Sequence, residues 1–344
     1  MKIKKNLNIS ILGASGYTGA ELVRLIMGRP ELTIVSLSAE KHAGKSLGSV
    51  FPQFKNIELP TLDKIKNIEF NKVDLVFSCL PPGFLNKIIY NFNNNTKIID
   101  LSPDYRFNSS SIYEDYYDEH FSKELLLEAT YGLSEIYRKN IKQSRIVACP
   151  GCYPTSILIP LLPLIKDNLI SETNIIIDSK SGTTGAGRNI NASLLFSEVD
   201  ESIKAYGRGN HRHKPEIEEQ LNLNSNKNLS IVFTPHLIPM KRGILSTIYV
   251  EGNFEKIYEK LSIFYKDESF IQLLNRGEYP STSEVVGSNN CRIGLVRPHN
   301  SKYTVIVSVI DNLIKGASGQ ALQNFNIMFG FKEDLGLAHQ AFYP

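Results

Sequence analysis

A chain of 344 residues with 42% hydrophobic and 21% charged residues has room for two buried cores and the ordinary composition of a soluble protein. A net charge of +3, carried by scattered lysines with no dense basic run, excludes the electrostatic footprint of a nucleic-acid or membrane binder. Four cysteines in so long a chain exclude a disulfide-built secreted scaffold.

In chain order, residues 1–8 are basic and lead into a short apolar run. That run is too short for a signal core or a membrane span, so a cytoplasmic protein is expected. Residues 8–12 read as a strand, 20–28 as a helix ended by Pro30, and 32–37 as a second strand. The turn between strand and helix is Gly13-Ala14-Ser15-Gly16-Tyr17-Thr18-Gly19. Glycines spaced G-x-x-G-x-x-G permit a tight turn and let the backbone approach a pyrophosphate at the helix start. Gly13, Ser15, Gly16, Tyr17, Thr18 and Gly19 are therefore assigned to a dinucleotide. Ser36 and Ser38 stand at the end of the second strand, with Lys41 and Lys45 just after. Hydroxyl and ammonium groups there suit a 2′-phosphate, so NADP is favoured, with Glu40 dissenting as a ribose ligand for NAD.

Residues 73–79, 97–101 and 145–148 read as further buried strands, which together predict a doubly wound parallel sheet. The last of them feeds Cys149-Pro150-Gly151-Cys152-Tyr153-Pro154-Thr155-Ser156. Pro154 suits a first helical position, and 157–165 supply an apolar helix body despite Pro160 and Pro163. A thiol beside a helix start is favoured as a thiolate, and a thiolate is a nucleophile. A zinc site would need four ligands, and Cys79 and Cys291 stand far apart in sequence, so no metal is expected. A thioredoxin-like dithiol would sit in a much shorter chain.

Beyond this point the pattern changes. Residues 174–179, 229–234, 243–252 and 303–310 read as longer strands and 216–221 and 257–264 as helices, predicting a second, mainly antiparallel α+β domain. Residues 180–188 form a second glycine-rich loop. His211 and His213 flank Arg212; in an extended stretch both imidazoles face one side, and Pro215 then opens a helix. Either histidine suits the acid/base partner of a thiolate, with His236 as a weaker third. Residues 318–328 are apolar at helical spacing and are expected to pack back on the first domain.

These segments together resemble the N-acetyl-gamma-glutamyl-phosphate reductase family. The matching stretches are 13–19, 99–106, 131–133, 150–155, 180–188, 211–218, 233–245, 287–289 and 311–326. The resemblance implies a fold like aspartate-semialdehyde dehydrogenase. A Rossmann-type domain, 1–151, would be completed by 317–344, and a catalytic and oligomerisation domain would span 152–316. It implies Cys152 as the nucleophile that forms a thioester with an acyl phosphate, and NADP(H) as the reductant. His211 or His213 would serve as acid/base, Arg106 as substrate anchor, and Ser181, Gly182 and Asn312 as neighbours of the nicotinamide. A homo-oligomer, dimer or tetramer, is expected. Two other readings stand beside it: a relative acting on a carrier-bound aminoadipyl or glutamyl phosphate, and a non-catalytic NADP-binding regulator. The chain departs from the family pattern at Ser134, Cys149 and Ser156, none of which removes a catalytic group. Cys149 is three residues from the nucleophile, a spacing that admits a reversible Cys149–Cys152 bridge under oxidation, beside the plainer reading of Cys149 as a small buried residue facing away.

Overall fold

The computed structural model describes residues 6–225 and 227–343; the basic lead-in at 1–5 lies outside them. The first seven strands are Leu7–Leu12 (β1), Leu32–Ser38 (β2), Leu62–Asp63 (β3), Leu75–Ser78 (β4), Lys97–Asp100 (β5), Thr130–Tyr131 (β6) and Ile146–Ala148 (β7). They form one sheet in the order β3-β2-β1-β4-β5-β7-β6, every pairing parallel. The central strands are apolar on both faces because both faces are covered. Leu12, Val76 and Ile98 pack with Phe70, Leu85 and Ile89 on one side. Phe77 points to the other and meets Phe325 of the Gly319–Phe329 helix at 6.1 Å. The chain runs β1, β2, β3 outward and returns to β4 on the far side of β1. This reversal opens a crevice beyond the carboxyl ends of β1 and β4, where open α/β sheets bind ligands.

The other seven strands are Ile175–Ser181 (β8), Lys204–Ala205 (β9), Ile231–Leu237 (β10), Ile244–Glu251 (β11), Ile271–Leu273 (β12), Cys291–Val296 (β13) and Tyr303–Ile310 (β14). Their order is β12-β13-β14-β11-β8-β10-β9. The sheet is antiparallel except at β8–β10 and β12–β13, so the second domain is the mainly antiparallel, mixed sheet expected. Along β8 and β11 every second residue is buried, the period of a sheet with one covered face.

The helix Cys152–Lys166 lies against that sheet. Its two internal prolines would each cost about 3 kcal/mol in an isolated helix. Pro163 has no N–H for the carbonyl of Ile159, and the Tyr265 hydroxyl donates to that carbonyl instead. Ser156 donates to the Tyr153 carbonyl at 2.9 Å and lies 2.7 Å from Ser246, which is 2.8 Å from Ser179. A buried row of hydroxyls thus satisfies itself beneath the helix.

By contact the chain divides into Met1–Pro150 with Ala317–Leu337 and Gly151–Gly316 with Ala338–Pro344. The tail, placed by sequence with the dinucleotide domain, therefore groups with the second unit. There the Phe342 N–H donates to Val286 at 2.8 Å, and the Phe342 ring covers Gly287. β3 is only two residues long, and the Ser134–Gln143 helix, with its non-helical Tyr137, is mostly polar, so neither is singled out by the sequence.

Candidate active site

The glycine turn is built by exclusion. Gly13 has φ +78°, and a Cβ there would lie 2.5 Å from the Cys79 carbonyl oxygen. A Cβ on Gly19 would lie 2.5 Å from the Gly13 oxygen. Both positions must be glycine for the fold. Gly16 differs: its nearest protein neighbour would be 3.4 Å away, an ordinary contact. Gly16 also caps the Tyr17–Ile26 helix without any side-chain hydrogen bond. N–H groups without a side-chain cap at the carboxyl end of β1, beside a Gly16 whose Cβ position meets only the Gly13 oxygen within 4 Å, fit a pyrophosphate. Of the loop's other assigned residues, Ser15, Tyr17 and Thr18 are half-buried.

The end of β2 is used differently from the sequence reading. Ser38 is buried and its hydroxyl accepts the Gly13 N–H at 3.0 Å, so it shapes the turn instead of facing a 2′-phosphate. Ser36 donates to Ser10 at 2.7 Å. The Glu40 carboxylate accepts the Ile65 N–H at 3.3 Å. Lys41 and Lys45 remain as exposed cations.

Cys152 is itself the first helical residue, two positions earlier than the proline suggests, with Gly151 as an N-cap that offers no side chain. It is half-buried, whereas Cys149 and Cys291 are buried. A Cβ on Gly151 would lie 2.5 Å from Nε2 of His213. A Cβ on Gly316 would lie 2.9 Å from Cβ of Cys152. Two glycines thus let the His213 ring close on Gly151, the residue before Cys152, and the backbone at Gly316 close on Cβ of Cys152. Glu216, buried on the same helix as His213, accepts the Gly151 N–H at 2.8 Å. That bond ties the start of the His213–Asn222 helix to the start of the Cys152 helix.

The two histidines are not equivalent. The helix opens at His213, ahead of Pro215, so the pair is not extended. His211 Nδ1 accepts the His213 N–H at 3.1 Å, and the rings lie 4.9 Å apart. His211 is also enclosed by Tyr153, Tyr206 and Phe233. Burial, with the neighbouring Arg212 charge, pulls its pKa down to about 4. At neutral pH His211 is an uncharged acceptor that fixes the backbone of His213. His236 stands at the end of β10, its ring 3.0 Å from Asp178 and its carbonyl accepting the Tyr153 hydroxyl at 3.3 Å.

A folded pKa below the unfolded value gives a signed expectation. Between about pH 6.5 and pH 4 the unfolded chain binds a proton that folded His211 refuses, so stability falls as pH falls through that window. His211→Gln should flatten this part of a melting-temperature profile relative to the native chain. Superimposable slopes would contradict the burial argument.

Arg106 donates through Nε to the Cys149 carbonyl and through Nη2 to the Leu101 carbonyl, both at 2.8 Å. These two bonds make it a strut for the segment leading into Cys149, and the rest of its guanidinium keeps donors beyond them. Cys149 accepts from Asn324 Nδ2 at 3.5 Å, and burial pushes its thiol up to about 12. A thiol held protonated in this way is poorly suited to the bridge its spacing admits. Ser181 donates to the Gly182 carbonyl at 3.0 Å. Gly182 must be glycine, since a Cβ would meet the Lys241 carbonyl oxygen at 2.8 Å. Asn312 accepts the Gly243 N–H at 2.8 Å and donates to Thr184 at 3.0 Å, pinning the second glycine loop.

The semialdehyde dehydrogenase NAD-binding domain matches residues 8–144, and the semialdehyde dehydrogenase dimerisation domain matches residues 152–312. The Arabidopsis thaliana protein named "Probable N-acetyl-gamma-glutamyl-phosphate reductase, chloroplastic" is 47% identical over 349 residues, covering 100% of this chain and 87% of that protein. The N-acetyl-gamma-glutamyl-phosphate reductase of Alkaliphilus metalliredigens is 46% identical over 350 residues, covering 98% of this chain and 100% of its own. The chain belongs to the N-acetyl-gamma-glutamyl-phosphate reductase family. It is an oxidoreductase, its cofactor is a nicotinamide dinucleotide, and the reading as a non-catalytic regulator falls away. Fold likeness extends further. Aspartate semialdehyde dehydrogenase II from Vibrio cholerae superposes with TM-score 0.72 at 15% identity over 94% of this chain and 98% of its own. The Candida albicans aspartate semialdehyde dehydrogenase solved with NADP gives 0.63 at 15% identity, over 94% and 98%. No helix among the described residues is long and apolar enough to cross a membrane.

Proposed function

We propose that this chain reduces N-acetyl-gamma-glutamyl phosphate to N-acetyl-L-glutamate 5-semialdehyde with release of phosphate, in arginine biosynthesis. The observation that carries the chemistry is His213 set against Gly151, directly before Cys152 at its helix start. The substrate follows from the names of full-length relatives, and none of those cited here is named for a carrier-bound substrate.

The Cys152 thiolate, favoured by the helix start, attacks the acyl carbon; the bond to the phosphate oxygen breaks and phosphate leaves. A thioester remains on Cys152. When bound, the reduced nicotinamide supplies a hydride. His213 protonates the oxygen of the thiohemiacetal that results on Cys152. It takes that proton back as the carbon–sulfur bond breaks and the aldehyde departs. His211 holds the His213 backbone, and Glu216 holds the Gly151 N–H. Ser181 and Gly182 belong to the loop read as the nicotinamide neighbour, and Asn312 acts there through Thr184.

NADP over NAD rests on Lys41 and Lys45, since the nearby serines are engaged within the protein. A homo-oligomer is supported by the match to a dimerisation domain, and four free cysteines suit the reducing cytoplasm. The proposal is tested in reverse: the semialdehyde should reduce NADP only when inorganic phosphate is present. Phosphate-independent reduction would refute acyl-phosphate chemistry.

Gly16→Ala separates cofactor binding from folding. The methyl group fits the protein but intrudes on the space read as the pyrophosphate approach. The melting temperature should hold while KM for NADPH rises about tenfold, equivalent to about 1.4 kcal/mol. An unchanged KM would move the dinucleotide away from this turn.

A further inference from the structure

We propose that Asp311 is a positioning residue for the nucleophile, acting through the backbone segment that backs Cys152. The proposal rests on Cys152 as the nucleophile. Asp311 follows the end of β14 and is fully buried. Its Oδ1 accepts the Leu313 N–H at 2.8 Å and the Ile314 N–H at 3.2 Å. Its Oδ2 accepts the Gly287 N–H at 2.8 Å and lies 3.3 Å from Nη1 of Arg242. Its own carbonyl accepts the Gly316 N–H at 2.9 Å.

One carboxylate therefore folds the stretch 311–316 back on itself and fastens it to two other loops. The end of that stretch is Gly316, the wall against which Cβ of Cys152 rests. The same stretch carries Asn312, whose side chain fixes the Gly243 turn and Thr184. A neutral, apolar side chain could not serve here: the site presents three backbone N–H donors and a guanidinium, which two carboxylate oxygens together satisfy. The negative charge is thus placed to order the wall behind the thiol. Nothing in the chemistry of the reaction requires it to touch substrate.

Asp311→Asn keeps the shape and one acceptor but turns an amide donor toward Gly287 or Arg242. The segment should loosen, and its Gly316 wall should withdraw from Cys152. Two readouts then move in opposite directions. Turnover should fall by at least about tenfold as the thiol loses its fixed place. Alkylation of Cys152 by iodoacetamide should quicken severalfold as the thiol gains access to solvent. Both are measured well below the melting temperature, with labelling sites mapped by mass spectrometry. Arg242→Gln, which removes one partner and leaves the three N–H donors, should give the same opposed signature at smaller size and serves if the first variant does not fold. A purely structural role would lower the melting temperature while leaving both rates within twofold of the native chain, and that result overturns the proposal. Parallel loss of turnover and labelling also overturns it. Failure of iodoacetamide to inactivate the native chain at Cys152 would instead refute the nucleophile assignment, independently of Asp311.

Discussion

Cys152→Ser is expected to fold, bind the nucleotide and lose turnover by on the order of 10⁴-fold or more. The substitution removes no packing that the fold depends on, because Cys152 is half-buried and lies at the end of its helix. What it removes is the thiol proposed as the nucleophile; a serine hydroxyl in its place is far less acidic and a weaker nucleophile. Neither Cys79 nor Cys149 offers a substitute thiolate. Burial holds the thiols of Cys79 and Cys149 up at about 12. The check is a comparison of kcat, melting temperature and NADPH affinity with the native chain. Turnover within tenfold of native would remove the covalent step from the account.

His213→Asn should lower kcat by about 10² to 10⁴ and erase a limb of the pH–rate profile. Its ring lies against Gly151, at the thiol's own helix start. The same substitution at His211 should behave differently. That ring is neutral well below pH 6, so its loss affects the backbone support of His213 without deleting a titration from the working range. Equal pH profiles for native and His213→Asn chains, with the limb lost in the His211 variant, would reverse the two roles.

The contrast between these histidines shows where the sequence stops being informative. Its alternation of H-R-H marks both rings alike, and only the helix opening at His213 separates the donor of a backbone bond from its acceptor. Glu216 was legible in principle, three residues along the same helix face from His213, but its partner is a backbone N–H sixty-five positions away. The glycine turn could be read as a motif, yet only the structure shows that Gly13 and Gly19 serve the fold while Gly16 leaves room. Ser38 misled because a polar residue at a strand end looks the same whether it faces a ligand or a turn. The departures from the family pattern also gain a reason in three dimensions. Asn324 meets both Ser134, at 2.7 Å, and Cys149, at 3.5 Å. Ser156 sits in the hydroxyl row beneath its helix. Each polar departure has a partner, so none leaves a buried group unsatisfied.

The most direct measurement is intact mass after mixing the enzyme with N-acetyl-gamma-glutamyl phosphate in the absence of NADPH. The account predicts a mass gain of one acyl group, mapped to Cys152, stable at mildly acidic pH and released by hydroxylamine or by adding NADPH. The Cys152→Ser chain should gain nothing. An acyl group found on another residue, or normal turnover in a chain that never carries one, would contradict it.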